Sequence, residues 1–336
     1  MIANGETNII RNNERIEWID ALKGFAIFCV TLGHLNMWGP IEKWIYSFHM
    51  FLFFFLSGFL FSSRKPTMEI LKARVKRILI PYIGWNVISS LIGMLFFDKS
   101  FSDFVEDLFI LEGNHSWNTP IWFLLVLFLA EIIITLLKLY KHKWLTITTI
   151  VICLGLWILI GHKWLLWKLN LLPMAICFFL LGFIFKPLVS KIHKWYILLL
   201  LGIGSIVFSS LNIRIIYTYG KFGNYVYCVL AAVCGTLFFI GLFSGVRMFS
   251  RLRFLKVWGR NSMIIMATQF FVFKVVSFLS VRLLNIDLIN YKSTVVALIL
   301  ALSIAALINL LVVLFKKYTS NIKFLKTIGE IFGIQY

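Results

Sequence analysis

Long apolar stretches recur from one end of the chain to the other, separated by short polar segments. Each stretch is about 17–25 residues long, the length that a helix needs to cross the hydrocarbon core of a bilayer. The pattern predicts an all-α, polytopic integral membrane protein with about ten transmembrane helices. We place these helices at 18–38, 44–61, 78–97, 118–137, 144–161, 165–185, 195–211, 223–245, 261–281 and 293–315.

Composition agrees with this class. Of the 336 residues, 60% are hydrophobic and only 14% are charged, and the mean hydropathy is +0.91. A soluble domain is far more polar, so we expect one transmembrane domain at 18–315, flanked by tails at 1–17 and 316–336. Interpreting the first stretch as a signal peptide is disfavoured because no small-residue cleavage site follows it.

Basic residues alternate in density between successive connecting segments. The two tails and every second connection hold 23 lysines and arginines, whereas the other connections hold eight. The positive-inside rule assigns the richer set, and therefore both termini, to the cytoplasm. The net charge of +19 is then mostly a signal of topology. It indicates a lipid bilayer as partner and requires no nucleic acid.

The first predicted helix carries three ionisable residues in an otherwise apolar run, Asp20, Lys23 and His34. Ionisable groups at membrane depth are costly, so they are functional-site candidates. Lys23 and His34 are eleven residues apart, which returns the side chain to within about 20° of its starting direction and separates the two by roughly 16 Å along the axis. Asp20 lies on the same stripe, one turn from Lys23, and can pair with it.

His49 lies about five residues into the second predicted helix, which runs back toward the first. We therefore expect His34 and His49 at similar depth on neighbouring helices. Two imidazoles at one level fit a general base with a helper, because imidazole titrates near neutrality, or half of a metal site. A zinc site completed by His115 and loop carboxylates is the weaker alternative, since the ligand spacing does not support it. We predict no metal.

A basic cluster of Lys72, Arg74, Lys76 and Arg77 precedes the third predicted helix. Two interpretations stay open. The cluster is either a topological signal that reaches the lipid headgroups, or a phosphate clamp, because guanidinium groups match phosphate oxygens.

Other residues in the apolar stretches have less specific interpretations. Trp122 follows a Thr119–Pro120 helix start and is either part of an interfacial belt or a platform for a ligand. Glu131 and Lys274 are expected to pair with each other. Gln269 is expected to form an interhelical hydrogen bond.

In combination, these features resemble the membrane acyltransferase 3 family, and within it the branch similar to fucose 4-O-acetylase. The matching motifs span 20–262 and are, in chain order, Asp20-Ala21-Leu22-Lys23-Gly24 with Leu32-Gly33-His34, Phe48-His49-Met50, Phe54-Phe55-Leu56-Ser57-Gly58-Phe59, Arg74-Val75-Lys76-Arg77, Pro120-Ile121-Trp122-Phe123-Leu124 and Gly259-Arg260-Asn261-Ser262. The chain departs from the family in three places. Lys23 stands where the family often has Arg, Gln269 stands where many members have His, and Glu131 follows Trp122 at a longer distance than usual.

The resemblance implies transfer of an acyl group, usually acetyl from acetyl-coenzyme A (acetyl-CoA), to an extracytoplasmic sugar hydroxyl. It implies that His34 is the catalytic base, with Lys23 as its basic partner, and that Arg74 and Arg77 contact the donor phosphates. We assign Asp20 and His49 to the catalytic group, and Lys76 and Trp122 to the donor-binding group. The expected partners are acyl-CoA and a surface glycan or lipid-linked sugar, and the expected location is a bacterial plasma membrane.

Two other classes of function compete with this one. A polysaccharide or lipid-linked sugar exporter would use the polar stripe to line a path. Such transporters favour inverted repeats and paired helix breaks, and the sequence displays neither. A non-catalytic membrane partner of a glycan synthase is the third alternative.

Overall fold

The structure, a computed structural model, describes residues 16–62, 64–96, 100–103 and 117–334. In chain order the helices are α1 (Glu17–Gly33), α2 (Gly39–Leu60), α3 (Thr67–Phe96), α4 (Trp122–Leu136), α5 (Lys143–Ile160), α6 (Leu172–Phe185), α7 (Trp195–Leu211), α8 (Tyr225–Gly245), α9 (Arg247–Arg251), α10 (Arg253–Arg260), α11 (Ser262–Leu284), α12 (Thr294–Thr319) and α13 (Lys323–Ile331). A π-helical segment, Val75–Leu79, interrupts α3. Short 3₁₀ turns precede α4 and flank α6.

The predicted all-α membrane architecture is confirmed. Within the described ranges, eight helices are long and apolar enough to cross a membrane, counting α4 and α6 together with their 3₁₀ turns. The other two predicted spans correspond to α1 and α7, which have 17 residues each. The bounds of α7 are those predicted, 195–211.

The first helix is shorter than the predicted span, 18–38. The helix α1 ends at Gly33, and His34 is its C-cap residue. Pro40 occupies the first turn of α2, where its missing N–H group costs no intrahelical hydrogen bond. The helix α2 consequently begins earlier than expected, and His49 lies near its middle rather than near its start.

The centre of the bundle is formed by α1 and α2. Twelve of the 17 residues of α1 are buried, and 72% of the apolar window of α2 is buried, against 22% for α5. The helix α1 packs against α2, α10 and α12, whereas α2 packs against α6 and α8. The two helices with candidate histidines are therefore surrounded by protein, as polar groups at membrane depth require.

Two helix contacts depend on glycine. A Cβ atom on Gly24 of α1 would collide with the Leu255 carbonyl of α10, and one on Gly259 of α10 would collide with the Asp20 carbonyl of α1. Such contacts bring helix backbones close together, as small residues commonly do in membrane bundles. They hold α10 against the end of α1 that carries Lys23.

A second contact of the same kind joins α2 and α6. A Cβ atom on Gly58 would collide with the Phe179 carbonyl, and one on Gly182 would collide with the Phe55 carbonyl.

The predicted carboxy-terminal tail, 316–336, contains helical structure. The helix α12 continues past the predicted end at 315 to Thr319, and α13 lies inside the predicted tail. Trp85 of α3 donates a hydrogen bond from its indole N–H to the Phe332 carbonyl at 3.1 Å. This bond anchors the end of α13 on α3.

The connection between α7 and α8, at 212–224, folds back onto the bundle. Ile215, Tyr217 and Phe222 are buried, and Ile216 pairs with Lys221 through an isolated antiparallel bridge. Asn212 donates to the Phe222 carbonyl and accepts from the Asn224 amide, which ties the two ends of the segment together. We call 212–224 the cap segment.

The glycine contact between α2 and α6 yields a stability prediction. Gly182→Ala should lower the melting temperature of the purified protein in detergent, because overpacking of this kind costs about 1–3 kcal/mol. Gly155→Ala is the matched control, since a Cβ atom there meets nothing within 4 Å. It should hold or raise the melting temperature. Equal melting temperatures for the two variants would contradict the close approach.

Candidate functional site

His34 and His49 line one small cavity, as their expected common depth predicts. The cavity has a volume of about 90 Å³ and lies where α1, α2, α4, α11 and the cap segment meet. His34 lies just past the end of α1 and is partly buried, whereas His49 is buried within α2. Both histidines line a space that also borders the cap segment.

The environment of His49 defines which of its ring nitrogens carries a proton. Its Nδ1 lies 2.7 Å from the Ile45 carbonyl oxygen. A carbonyl oxygen only accepts, so Nδ1 is the donor. In the neutral ring Nε2 is then the unprotonated nitrogen. His49 therefore offers the cavity a hydrogen-bond acceptor.

His34 is held by side chains from other helices. Its Nδ1 lies 3.3 Å from the Tyr46 hydroxyl oxygen, and its ring meets the Phe270 ring edge-on with centroids 4.8 Å apart. Both His49 and Arg214 interact with it electrostatically. His34 is therefore the meeting point of α1, α2, α11 and the cap segment.

Sequence reasoning missed the residues that surround these histidines. Arg214 was counted only as a loop cation, yet it lines the His34 cavity and forms an ion pair with Glu42 at 2.8 Å. Tyr217 lines the same cavity and donates to the Tyr46 carbonyl at 2.6 Å. The available signal was weak, because an arginine in a connection between two membrane helices is ordinary.

Trp122 lies in the His34 cavity rather than beside the basic cluster. Its ring is 4% exposed and stacks on Tyr217 with an interplanar angle of 27°. This position fits a wall for a ligand in the cavity better than an interfacial belt, because the ring is enclosed by protein.

Lys23 lines a second cavity, of about 160 Å³, at the opposite end of α1. Two hydroxyl groups, on Ser57 of α2 and Ser262 of α11, also border this space. Its other walls are apolar or aromatic, and Ile78 of the π-helical segment is one of them. The basic group thus faces a mostly apolar space, which suits a slender and largely uncharged chain.

The two cavities are neighbours. Val30, Met50 and Met266 line both of them. Two of these three are methionines, whose unbranched side chains re-pack easily. Two adjoining cavities therefore lie beside the polar stripe of α1, one at Lys23 and the other at His34.

A buried ion pair lies near Lys23, at that end of α1. Arg74 of α3 pairs through its Nε with a Glu131 carboxylate oxygen of α4, and their side chains are 21% and 3% exposed. Lys23 also interacts electrostatically with this carboxylate. We expected Glu131 to pair with Lys274, but the structure pairs it with Arg74. Sequence spacing could not indicate this, because the pairing depends on how α3 packs against α4.

The remaining basic residues of the cluster are exposed. Both Lys76 and Arg77 face outward on the π-helical segment. Lys76 pairs with Glu330 of α13 at 3.4 Å, and its side chain is 71% exposed. The structure thus separates Arg74, which is committed to Glu131, from Arg77, which is accessible to a ligand or to headgroups. The cluster was predicted to precede the third helix, but it belongs to α3, which starts at Thr67.

Asp20 acquires a partner that its own helix does not supply. Its carboxylate accepts a hydrogen bond from Arg260 Nε of α10 at 3.1 Å. On the same helix pair, Lys256 contacts Glu17 at 3.1 Å. These bonds accompany the glycine contact between α1 and α10, so Asp20 contributes to helix packing at the Lys23 end.

Two interhelical hydrogen bonds involve residues that the sequence singled out. Gln269 and Thr31 are joined by a bond of 2.8 Å between α11 and α1, which confirms the expectation for Gln269. Asn261 precedes α11 as expected, but its side chain does not cap that helix. It donates to Asn309 of α12 at 2.7 Å instead.

The part of the chain that the structure describes contains no cluster of three or more His, Cys, Asp or Glu side chains that could hold a metal ion. His115 and most of the acidic segment at 98–117 lie outside the described residues. The alternative zinc site therefore stays untested.

The buried pair at the Lys23 end yields a second stability prediction. Glu131→Gln should destabilise the protein by about 3–5 kcal/mol, because it leaves the Arg74 cation buried without a countercharge. Combining Arg74→Met with Glu131→Leu should recover most of this loss. The control is Glu330→Gln in the exposed pair, which should change stability by less than about 1 kcal/mol. Thermal melting of the four proteins decides, and similar losses for the two glutamate variants would contradict the assignment.

Comparison with known proteins now identifies the family. No curated protein and no solved structure is significantly similar to this chain. A family model described as an acyltransferase domain matches residues 16–314, which include both cavities and both histidines. The chain therefore belongs to the membrane acyltransferase 3 family.

Proposed function

We propose that this acyltransferase is an O-acetyltransferase of the branch similar to fucose 4-O-acetylase. It moves acetyl from cytoplasmic acetyl-CoA to a hydroxyl group of a surface polysaccharide or lipid-linked sugar outside the cell. The observation that carries the proposal is the pair of adjoining cavities beside α1, which share the lining residues Val30, Met50 and Met266. In this proposal a path opens past the two methionines, and it allows transfer across the membrane without passage of the donor nucleotide.

The donor enters from the basic side. The positive-inside rule makes this side cytoplasmic in a bacterial plasma membrane. Acetyl-CoA is made in the cytoplasm. Arg77 is exposed there and is available for phosphate. Lys76 lies beside it. Arg74 is paired with Glu131, so its contact with the donor phosphates, which the resemblance implies, would require it to leave this pair. The mostly apolar cavity at Lys23 takes the thin arm of CoA, so that the thioester lies near Met50 and Met266, which line both cavities.

The acceptor enters from the other end, beside the cap segment. His34 acts as general base in this proposal. It removes the proton of the sugar hydroxyl as the oxygen forms a bond to the thioester carbonyl carbon. The C–S bond then breaks, and the CoA thiolate recovers the proton from the imidazolium, so the neutral ring is restored. His49 accepts a hydrogen bond from the acceptor, and Trp122 forms one wall of the site. Direct transfer needs no acyl-enzyme, although transient acylation of His34 gives the same products.

The exporter remains the alternative function, because a connected path beside a polar stripe also fits transport. The family match favours the enzyme over the exporter and over a non-catalytic partner of a glycan synthase. Each cavity is also small for a sugar chain, at about 160 and 90 Å³.

The assay uses radiolabelled acetyl-CoA and membrane vesicles of defined orientation. Inside-out vesicles that contain the protein should transfer label from external acetyl-CoA into extracted glycan, and right-side-out vesicles should not. His34→Gln should reduce labelling by at least about 100-fold while membrane abundance holds, since it removes the base. The control is His142→Gln in an exposed connection, which should leave the rate unchanged.

Each outcome of this assay favours one class of function. Glycan that reaches the exterior without label would support the exporter, and neither label nor export would support the non-catalytic partner. Full activity of His34→Gln would remove His34 from the role of base.

The junction between the cavities gives a separate prediction. Met266→Trp should fill the point where the cavities meet and abolish acetyl transfer. Binding of CoA itself at the basic end should weaken much less, because its nucleotide stays outside the junction. Met248→Trp is the control, since Met248 is 63% exposed and lies away from both cavities. Unimpaired transfer by the Met266 variant would argue against the path.

A further inference from the structure

His34 is not held in place by its own helix. It is the residue after α1, with φ −91° and ψ 0°, so neighbouring turns do not enclose its ring. The polar atom that meets its Nδ1 is the Tyr46 hydroxyl oxygen, at 3.3 Å. A base at the end of a helix needs such a partner, because a misplaced ring loses the geometry that proton transfer requires.

Tyr46 is itself firmly held. Its side chain is 7% exposed, and the Arg214 guanidinium lies over its ring, 4.6 Å from the centroid. Arg214 also forms an ion pair with Glu42 at 2.8 Å. Glu42 and Tyr46 are four residues apart on α2 and therefore share a face. One arginine from the cap segment therefore contacts both Tyr46 and Glu42.

Tyr217 holds the backbone at the same point. Its hydroxyl donates to the Tyr46 carbonyl oxygen at 2.6 Å. The Tyr46 ring is therefore fixed from the cap segment through its charge contacts and through its main chain. The hydroxyl oxygen has a defined position relative to His34.

We propose that Tyr46 is the positioning residue for His34 and selects its tautomer. The base of the proposed function needs a ring nitrogen without a proton, and Nδ1 is the nitrogen that meets the Tyr46 hydroxyl. In this proposal Nδ1 therefore carries the proton and donates it to a lone pair of the Tyr46 hydroxyl oxygen, and Nε2 carries the free lone pair. This inference rests on the proposed function, in which His34 is the base.

The proton transfers balance without a further reactant. Nε2 takes the acceptor proton as the new C–O bond forms, and it returns that proton to the CoA thiolate as the C–S bond breaks. The Nδ1 proton stays between His34 and Tyr46 throughout. Glu42 and Arg214 keep the Tyr46 side chain in place during the cycle. Tyr46, Glu42 and Arg214 do not touch the reacting atoms in this scheme.

The test compares two variants that each remove one hydroxyl from a buried tyrosine, Tyr46→Phe at the His34 cavity and Tyr82→Phe on α3, which lines neither cavity. The full-length protein is labelled with ¹⁵N-histidine and placed in nanodiscs, and His34→Gln identifies the His34 signals. In the wild type the His34 ring should carry its proton on Nδ1. Tyr46→Phe should move the proton toward Nε2, whereas Tyr82→Phe should leave it on Nδ1. A wild-type ring protonated on Nε2, or an unchanged tautomer in Tyr46→Phe, would overturn the inference.

Kinetics with labelled acetyl-CoA supply the second measurement. Tyr46→Phe should lower kcat on the order of 100-fold with little change in the KM for acetyl-CoA, since it misplaces the base and leaves donor binding intact. Tyr82→Phe should retain most of kcat, because Tyr82 lines neither cavity. Equal kcat values for the two variants would contradict a positioning role. If the wild type transfers no label, the proposed function fails, and the tautomer measurement still decides the role of Tyr46.

Discussion

Ionisable side chains on a membrane helix must find their partners within the protein, and this constraint shapes the whole bundle. The first helix carries Asp20 and Lys23 and ends at His34. Arg260 meets Asp20, the Arg74–Glu131 pair lies beside Lys23, and Tyr46 meets His34. The partners come from four other helices, so α1 cannot be exposed to lipid on its polar side. The central position of α1 is a consequence of its charges.

Close helix packing makes those pairings possible. The Gly24 and Gly259 contacts bring the α1 and α10 backbones together, which places Arg260 within reach of Asp20. On the other side of α2, Gly58 and Gly182 hold α6 in the same way. The two adjoining cavities lie beside α1 and are lined by residues of α2 and α11. Packing is tight where charges are paired and looser where a ligand is expected.

The two cavities differ in chemistry, and the difference fits the two-sided reaction that we propose. One has paired and exposed cations close to an apolar space. The other has two imidazoles, an enclosed tryptophan and an arginine from the cap segment. His49 can only accept at Nε2 when its ring is neutral, because its Nδ1 donates to the Ile45 carbonyl. The cap segment contributes Arg214 and Tyr217 to the candidate site, so a connection between helices forms part of its wall.

The sequence alone determined the class of protein, the approximate positions of its helices, and the face of α1 that carries Lys23 and His34. Hydrophobic runs and helical periodicity are local properties, so a linear pattern records them. It also predicted that His34 and His49 share one level, and the two line one cavity despite the misplaced start of α2. The motifs that resemble the family were read from the same linear pattern. Tertiary structure alone decided which charged groups pair. Glu131 pairs with Arg74, and Asp20 pairs with Arg260. Arg214 contacts both Tyr46 and Glu42. These pairs join residues far apart in the chain, and their formation depends on which helices pack together. No spacing along the sequence encodes that choice, because many side chains of suitable charge are available and only the packed backbone selects among them.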